Sequence, residues 1–405
     1  MDRNMKKWHS YKLSDVVRFN PSERLLKGEI AKKVPMDLLQ PYTRGISGFE
    51  MASYTGGSKF RNGDTLMARI TPCLENGKTA YVSMLDEDEV GFGSTEYIVF
   101  RNIEGITDNK FVYYFVTSPW FRDIAVKSMV GSSGRQRVQQ AMLENLVVNL
   151  PPLAEQKQIA GILGALDDKI ELNRCINDNL EQQAQALFKS WFVDFEPFKD
   201  GEFVDSELGM IPKGWRVVCL GEVTKQVTEK VGNREDVTVL SPVNSGELVL
   251  SEEYFTKQVF SKNLSKYLIV NPLSFAYNPA RINIGSIGLN EYDFVGCVSP
   301  VYVVFKCEPN YHYFFDFYKR TAVFKDEVAL RAIGGVRQSL GYDDFSLIKT
   351  IYPTPDVVAE FNNLYLKMKE VITRNDIQNN KLTTLRDSLL PKLMSGELKI
   401  NNFNR

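Results

Sequence analysis

Apolar residues recur at alternating steps of four and three along residues 154–192, and again along residues 361–389. This spacing predicts two long helices, each of which buries one seam of side chains against another helix. The first seam contains Ile159, Leu163, Leu166, Ile170, Leu180, Ala184, Leu187 and Trp191. The second contains Phe361, Leu364, Met368, Val371, Leu382, Leu385 and Leu389.

The middle of each seam is polar. Asn173 and Asn177 interrupt the first seam, and Asn375 and Gln378 interrupt the second. Buried amides lower stability unless they pair with one another, and their best-attested use is to set register and orientation. We therefore predict that the helices pack antiparallel, with the two amide layers meeting near the centre. The alternative is a pair of unrelated amphipathic helices, each packed on its own domain.

The chain also contains two copies of one plan, offset by about 202 residues. Each copy has a strand-like stretch, an aromatic-rich helical stretch, a Gly-rich loop with an Arg-Gln pair, and a short strand that ends in prolines. In the first copy these are residues 90–101, 110–126, 131–137 and 146–153, and in the second they are residues 295–306, 311–330, 334–339 and 348–355. The shared order and spacing favour two homologous modules over chance similarity.

Strands mixed with short helices, and then a long helix, predict a mixed α/β (α+β) fold with an internal pseudo-two-fold repeat. We expect residues 1–150 and 201–353 to form two similar domains. Residues 151–200 and 354–405 should then supply the two long helices of an antiparallel coiled coil.

Composition adds few constraints. A chain of 405 residues suits two or three domains. Its 49 Lys and Arg nearly balance its 50 Asp and Glu, so net charge does not indicate a nucleic-acid-binding protein. Five scattered cysteines without a C-x-x-C pair, with only two histidines, make a zinc site improbable and favour reduced thiols in the cytoplasm. We expect neither a signal peptide nor a membrane span, because residues 1–10 are charged and no long apolar run exists.

No catalytic motif is complete. Residues 71–74 and 278–281 come nearest to the [N/D]-P-P-[F/Y] loop of adenine methyltransferases, but both lack the second proline and the aromatic residue. Residues 77–79 end like a P-loop, yet Pro72 stands where that loop needs glycine. We therefore expect a protein that is not itself an enzyme.

Four segments resemble the specificity subunits of type I restriction–modification complexes. Residues 150–159 resemble the start of that family's central region, and residues 186–197 resemble its end. Residues 211–215 resemble the start of the second target-recognition domain, and residues 385–398 resemble the C-terminal region. The four segments occur in the family's order and span the scaffold of the whole chain.

The resemblance implies two target-recognition domains that read a bipartite DNA sequence, one half per domain, and two helices that form an antiparallel coiled coil. It also implies recruitment of two modification (methyltransferase) subunits and, optionally, two restriction–translocation subunits. S-adenosylmethionine and ATP would belong to those partners, which leaves this chain without a cofactor or metal.

Two alternative functions fit the sequence less well. A methyltransferase–specificity fusion would need a catalytic domain for which no residues are left. A pure coiled-coil scaffold would not need two α/β modules.

Arg and Gln suit the edges of guanine and adenine, and glycines let backbone N–H groups approach phosphates. The Gly-rich loops combine these features, so the first candidates for DNA contact are Ser132, Ser133, Arg135, Gln136, Arg137, Arg337 and Gln338. The second group of candidates contains Lys59, Arg61, Arg69 and Lys78 in the first module, and Lys257, Lys262 and Arg281 in the second. The alternative for Arg135 and Arg337 is that they cap helices or pair with carboxylates inside the domain.

An aromatic cluster follows the first long helix. Trp191, Phe192, Phe195 and Phe198 are more than one seam needs. They are candidates for docking of a modification subunit or for packing of a turn on the neighbouring domain.

Replacing Arg135 and Arg337 together with Ala should lower the affinity for cognate DNA and make binding less sensitive to salt. Each lost phosphate contact reduces the slope of log affinity against log salt by about one. Titrations at several salt concentrations measure both quantities. Unchanged affinity together with an unchanged slope would contradict the assignment of these loops.

Overall fold

The computed structural model describes residues 8–255, 260–331 and 339–399. The chain divides into two compact units: unit 1 is Met1–Asn177 with Thr373–Arg405, and unit 2 is Asp178–Ile372. Each unit therefore contains one α/β module and one half of each long helix. The units do not coincide with the four segments expected from the sequence, whose boundaries stay a prediction.

The first module consists of ten short strands and four short helices, and the first long helix follows it. Its strands are β1 (His9–Lys12), β2 (Val17–Phe19), β3 (Ile30–Val34), β4 (Glu50–Ser53), β5 (Lys59–Phe60), β6 (Thr65–Ala68), β7 (Thr79–Tyr81), β8 (Gly91–Gly93), β9 (Tyr97–Asn102) and β10 (Val147–Leu150). Its helices are α1 (Leu13–Val16), α2 (Asn109–Thr117), α3 (Pro119–Lys127) and α4 (Gln140–Glu144), and the long helix is α5 (Leu153–Phe192).

The second module repeats this order, with an additional strand pair (β11 and β12) before it and an additional short helix (α7) within it, and is followed by the second long helix. Its strands are β11 (Phe203–Val204), β12 (Ile211–Pro212), β13 (Arg216–Cys219), β14 (Thr224–Val227), β15 (Thr238–Pro242), β16 (Leu248–Leu250), β17 (Leu268–Val270), β18 (Phe275–Tyr277), β19 (Ile287–Leu289), β20 (Gly296–Val298), β21 (Val303–Cys307) and β22 (Lys349–Tyr352). Its helices are α6 (Leu220–Val223), α7 (Ser251–Tyr254), α8 (His312–Tyr318), α9 (Ala322–Arg331) and α10 (Tyr342–Ser346), and the long helix is α11 (Pro355–Met394).

The two modules share one sheet topology. In the first module, one sheet has the strand order β2-β9-β6-β7 and another has the order β4-β3-β8-β5, with β3 and β8 parallel. In the second module the orders are β14-β21-β18-β19 and β16-β15-β20-β17, with β15 and β20 parallel. The pair β1–β10 likewise corresponds to β13–β22. The prediction of a mixed α/β fold with an internal repeat is confirmed.

Each strand-like stretch singled out in the sequence is two strands rather than one. Residues 90–101 hold β8 and β9, which lie in different sheets, and residues 295–306 hold β20 and β21 in the same way. The aromatic-rich helical stretch is also divided, because Pro119 cannot continue α2 and instead opens α3. The side chain of Ser118 caps α3 by accepting a hydrogen bond from the N–H of Phe121 at 3.3 Å.

The long helices agree with the heptad pattern, and in unit 1 they pair through the predicted amides. Asn173, which is fully buried, donates to the Oε1 of Gln378 at 2.9 Å, and Asn375 donates to the Oδ1 of Asn177 at 2.8 Å. The residue numbers on one helix rise as those on the other fall, so the pair is antiparallel.

Two further side chains complete this polar cluster, and the heptad pattern did not single them out. Asn379 accepts from Asn173 at 2.9 Å, and Asp376 accepts from Asn177 at 2.8 Å. Burial raises the pKa of Asp376, although the hydrogen bond from Asn177 opposes that shift.

The first module packs on the helices of unit 1 through a buried polar chain. Tyr114 of α2 donates to the Oδ2 of Asp167 at 2.6 Å, and Arg386 of α11 pairs with the Oδ1 of the same carboxylate at 2.7 Å. Arg44 of the module pairs with Asp168 and Glu171 on α5 at 2.5 and 2.6 Å. The module therefore contacts the helices through charged groups as well as apolar ones.

In unit 2 the corresponding contacts are aromatic. Phe188 of α5 packs against Phe317 of α8 and Phe361 of α11, with ring centroids 5.5 and 5.8 Å apart. The aromatic cluster at the end of α5 surrounds the ring of Trp215, with Phe192, Phe195 and Phe198 at 5.9, 5.5 and 5.1 Å. Of the two interpretations of this cluster, the structure favours a turn packed on the neighbouring domain.

Replacing Asn173 and Asn375 together with Leu should allow the helices to pair in more than one register. The buried side chains of Asn379 and Asn177 would lose partners in the native register, at about 1–3 kcal/mol for each group left unsatisfied. Cross-linking between one cysteine introduced in each helix reports the register. Asn380→Leu, at an exposed position of α11, is the matched control and should keep a single register. A single unchanged register in the double variant would show that the amides do not select it.

Candidate nucleic-acid interface

Three segments of unit 1 meet at one edge of the first module, and we call them the loop edge. They are residues 69–72 after β6, residues 94–96 between β8 and β9, and residues 130–138 after α3. The loop edge contains the first Gly-rich loop identified in the sequence.

Backbone hydrogen bonds hold the three segments together. The N–H of Arg69 donates to the carbonyl of Glu96 at 2.9 Å, and the N–H of Val138 donates to the carbonyl of Arg69 at 2.8 Å. The N–H of Thr71 donates to the carbonyl of Gln136 at 3.0 Å. These bonds make the loop edge part of the folded module rather than a free loop.

The Gly-rich loop itself is closed at its base. Val130 and Arg137 exchange two backbone hydrogen bonds, at 3.0 and 2.9 Å. Gly131 has a φ of +139°, and a Cβ there would lie 2.9 Å from the carbonyl oxygen of Arg135. The turn thus requires glycine at this position.

The closed loop presents polar side chains to solvent. Ser132, Ser133 and Arg135 are exposed, and Gln136 is half-buried. Within the described parts of the chain, the guanidinium of Arg135 has no ion-pair or hydrogen-bond partner. Arg135 is therefore available to bind an anion or a base.

Arg137 makes an ion pair with a residue that sequence reasoning missed. Its Nε lies 2.9 and 3.0 Å from the two carboxylate oxygens of Glu96, and its Nη2 lies 2.6 Å from Oε1. The hydrogen bond and charge of Glu96 raise the pKa of Arg137 above its usual value. The carboxylate pairing considered for Arg135 is thus found at its neighbour Arg137 instead. Local spacing did not signal this pair, because 41 residues separate its members.

The second group of cations in the first module is engaged inside the module. Lys59 donates to the carbonyl of Glu23 at 2.8 Å, and Arg61 pairs with the carboxylate of Glu23 at 2.7 Å. Lys78 donates to the carbonyl of Met36 at 2.9 Å. The charged atoms of these three side chains stabilise loops and are occupied in this structure.

Arg69 differs from the other three because its backbone belongs to the loop edge. Its Nη2 donates to the carbonyl of Val138 at 3.2 Å, while its Nε is buried without a partner. The side chain of Arg69 therefore stabilises the end of the Gly-rich loop at Val138.

Two backbone hydrogen bonds of this edge have counterparts among the described residues of unit 2. The N–H of Leu340 donates to the carbonyl of Pro279 at 3.0 Å, which corresponds to the bond from Val138 to Arg69 in unit 1. The N–H of Tyr302 donates to the carbonyl of Ser299 at 3.0 Å, as the N–H of Tyr97 does to that of Ser94 at 3.2 Å.

The candidates in the second module fall into two sets. Lys262 and Arg281 are exposed, and neither has an ion-pair partner in the described chain. Arg281 lies two residues after Pro279, in the segment that corresponds to residues 69–72. Lys257, Arg337 and Gln338 lie outside the described residues.

The remaining candidates form the polar layer between the helices. The structure brings Asn173, Asn177, Asn375 and Gln378 together in unit 1, as given above.

In the ranges that the structure describes, no three His, Cys, Asp or Glu side chains are grouped to hold a metal ion. None of the helices in those ranges combines the length and apolar character needed to cross a membrane.

The comparisons with known proteins agree on one family. A family model described as the type I restriction modification DNA specificity domain matches residues 5–182. The chain is 27% identical to the type I restriction enzyme MjaIX specificity subunit of Methanocaldococcus jannaschii, over 75% of this chain and 73% of that one. It is 26% identical to the type I restriction enzyme HindI specificity subunit of Haemophilus influenzae, over 84% and 87% of the two chains.

A solved structure has a similar fold. The crystal structure of a type I restriction–modification system S subunit from M. genitalium aligns with a TM-score of 0.53 over 97% of this chain and 98% of that one. The sequence identity in that alignment is 15%, so the likeness concerns the fold alone.

Lys59→Ala should lower the stability of the fold, whereas Arg135→Ala should lower the affinity for DNA. Removing Lys59 leaves the carbonyl of Glu23 without its donor, which should lower the free energy of unfolding by about 1–2 kcal/mol and change DNA affinity little. Removing the exposed Arg135 should change stability by less than about 0.5 kcal/mol and weaken DNA binding. Thermal unfolding and DNA titration of each variant, which serves as the other's control, measure the two effects. A Lys59 variant with native stability and weakened binding would show that Lys59 contacts DNA.

Proposed function

We propose that the chain is a specificity subunit of the type I restriction–modification family and that it reads a bipartite DNA target, with one half-site for each α/β module. As a specificity subunit it recognises DNA sequence and is not itself an enzyme. The proposal concerns how the recognition is divided along the chain.

The observation that carries the proposal is the repeated loop edge. Both modules have the same strand order, and the same backbone hydrogen bonds join Val138 to Arg69 and Leu340 to Pro279. The side chains on the two edges differ. Backbone and phosphate contacts position a protein on DNA, whereas side chains at base edges select sequence. A shared scaffold with different side chains is therefore suited to two unlike half-sites.

Each edge provides a cation for DNA. In unit 1 this is Arg135, whose guanidinium is exposed on a closed loop. In unit 2 it is Arg281, with Lys262 as a second exposed cation. Arginine binds phosphate oxygens and can also bind the O6 and N7 atoms of guanine. Each module thus has at least one group that suits either contact.

The catalytic work belongs to partners in this proposal. Two modification subunits would bring S-adenosylmethionine and methylate adenines, and two restriction subunits, where present, would bring ATP. The assembly would act in the cytoplasm on double-stranded DNA. The chain alone should transfer no methyl group, which serves as the control for assays of the assembled complex.

Sequencing of modified adenines in cells that contain the chain and its methyltransferase partner should reveal a split motif with two half-sites. Arg135→Ala should weaken selection of one half-site and leave the other intact, because the exposed guanidinium belongs to one module only. Arg281→Ala is the matched variant and should affect the other half-site. A single continuous motif, or the same loss from both variants, would refute one half-site per module.

A further inference from the structure

Glu96 occupies a position at which the two loop edges differ in chemistry. We infer that Glu96 is a specificity-positioning residue, which orients the guanidinium of Arg137 so that its free edge meets a guanine in the half-site read by unit 1. This inference rests on the proposed function and names one determinant within it.

The ion pair uses only one edge of the guanidinium. Glu96 accepts from Nε and Nη2 of Arg137, at 2.6 to 3.0 Å. The other edge consists of Nη1 and the second hydrogen of Nη2, and no acceptor in the described chain takes Nη1. Two parallel N–H donors at this edge match the O6 and N7 acceptors of guanine in the major groove.

The backbones of both residues are held independently of the ion pair. The carbonyl of Glu96 accepts from Arg69, and Arg137 exchanges two hydrogen bonds with Val130. The carboxylate therefore limits a side chain whose backbone is already ordered. Holding a long side chain before binding reduces the ordering cost at the moment of recognition.

The pair is at the surface, so its main effect is on orientation. The side chain of Arg137 is 44% exposed, and that of Glu96 is 24% exposed. Exposed ion pairs contribute little to the stability of a fold. Loss of Glu96 should therefore leave the module folded, and its effect on recognition can be measured separately.

Unit 2 has a different residue at the same place. The turn bond from Tyr302 to Ser299 corresponds to that from Tyr97 to Ser94, so Val301 stands where Glu96 does. Val301 is 71% exposed, so its side chain is open to a ligand. A valine cannot hold an arginine, but its methyl groups suit the C5-methyl group of thymine. The two modules therefore present different chemistry from one turn.

Selection from a pool of random DNA duplexes by the full-length chain, followed by sequencing of the bound fraction, tests this inference. The wild-type chain should select guanine at a position of the first half-site that depends on Arg137. Glu96→Ala should lower that preference roughly tenfold and leave the other positions unchanged. Arg137→Ala should remove the same preference, and adding Glu96→Ala to it should have no further effect.

Two further variants separate positioning from a general structural role. Glu96→Gln keeps one carbonyl acceptor for the guanidinium and should retain part of the guanine preference. Val301→Ala is the matched change in unit 2 and should alter the second half-site only. Thermal unfolding of all variants should match that of the wild-type chain.

The outcomes distinguish the inference from the proposed function. If Glu96→Ala weakens binding equally at every position, or if its effect adds to that of Arg137→Ala, Glu96 does not act through Arg137 and the inference is overturned. If the wild-type chain selects no sequence, the proposed function fails and the inference fails with it. Selective binding by the wild type with an unchanged profile in Glu96→Ala overturns the inference alone.

Discussion

The placement of the first module on its helices depends on the buried carboxylate of Asp167. This group accepts a hydrogen bond from Tyr114 of the module and pairs with Arg386 of α11, while its own backbone belongs to α5. Removing one partner of a buried ion pair costs about 3–5 kcal/mol, because the other charge stays buried without compensation. One carboxylate thus joins α2, α5 and α11, which lie far apart in the sequence.

The rest of the module follows from a scaffold that is used twice. Strand order, the parallel pair within one sheet and two backbone bonds near the loop edge recur in both units. Such bonds do not depend on side chains, so the scaffold can stay constant while the exposed residues change. Glu96 and Val301 show this division directly, since the same turn carries a carboxylate in one unit and an apolar group in the other.

The near-neutral charge of the chain is consistent with how its cations are used. Lys59, Arg61 and Lys78 stabilise loops of the first module, and Lys319 is buried in the second with Asp316 at 2.8 Å. Burial lowers the pKa of Lys319, although the neighbouring carboxylate opposes this shift. Arg135 and Arg281 are exposed, have no ion-pair partner among the described residues, and lie at the loop edges. A DNA-binding surface can therefore arise from placement of charge without an excess of it.

The sequence by itself determined the elements and their repetition. Heptad spacing predicted both long helices and their amide layers, because helical periodicity and buried polar residues are local properties of the chain. The order of motifs predicted two modules, and the resemblance to specificity subunits predicted the family.

Only the tertiary structure decided which charged residues are available. Arg135 and Arg137 are two positions apart in one loop, yet one is exposed without a partner and the other is paired with Glu96. The fold also divided each strand-like stretch between two sheets and placed Asp376 and Asn379 in the amide cluster. These outcomes depend on contacts between residues far apart in the sequence, such as Arg137 with Glu96 (41 residues) and Asn173 with Asn379 (206 residues). Local sequence patterns do not predict such contacts, because the partners come together only when the chain folds.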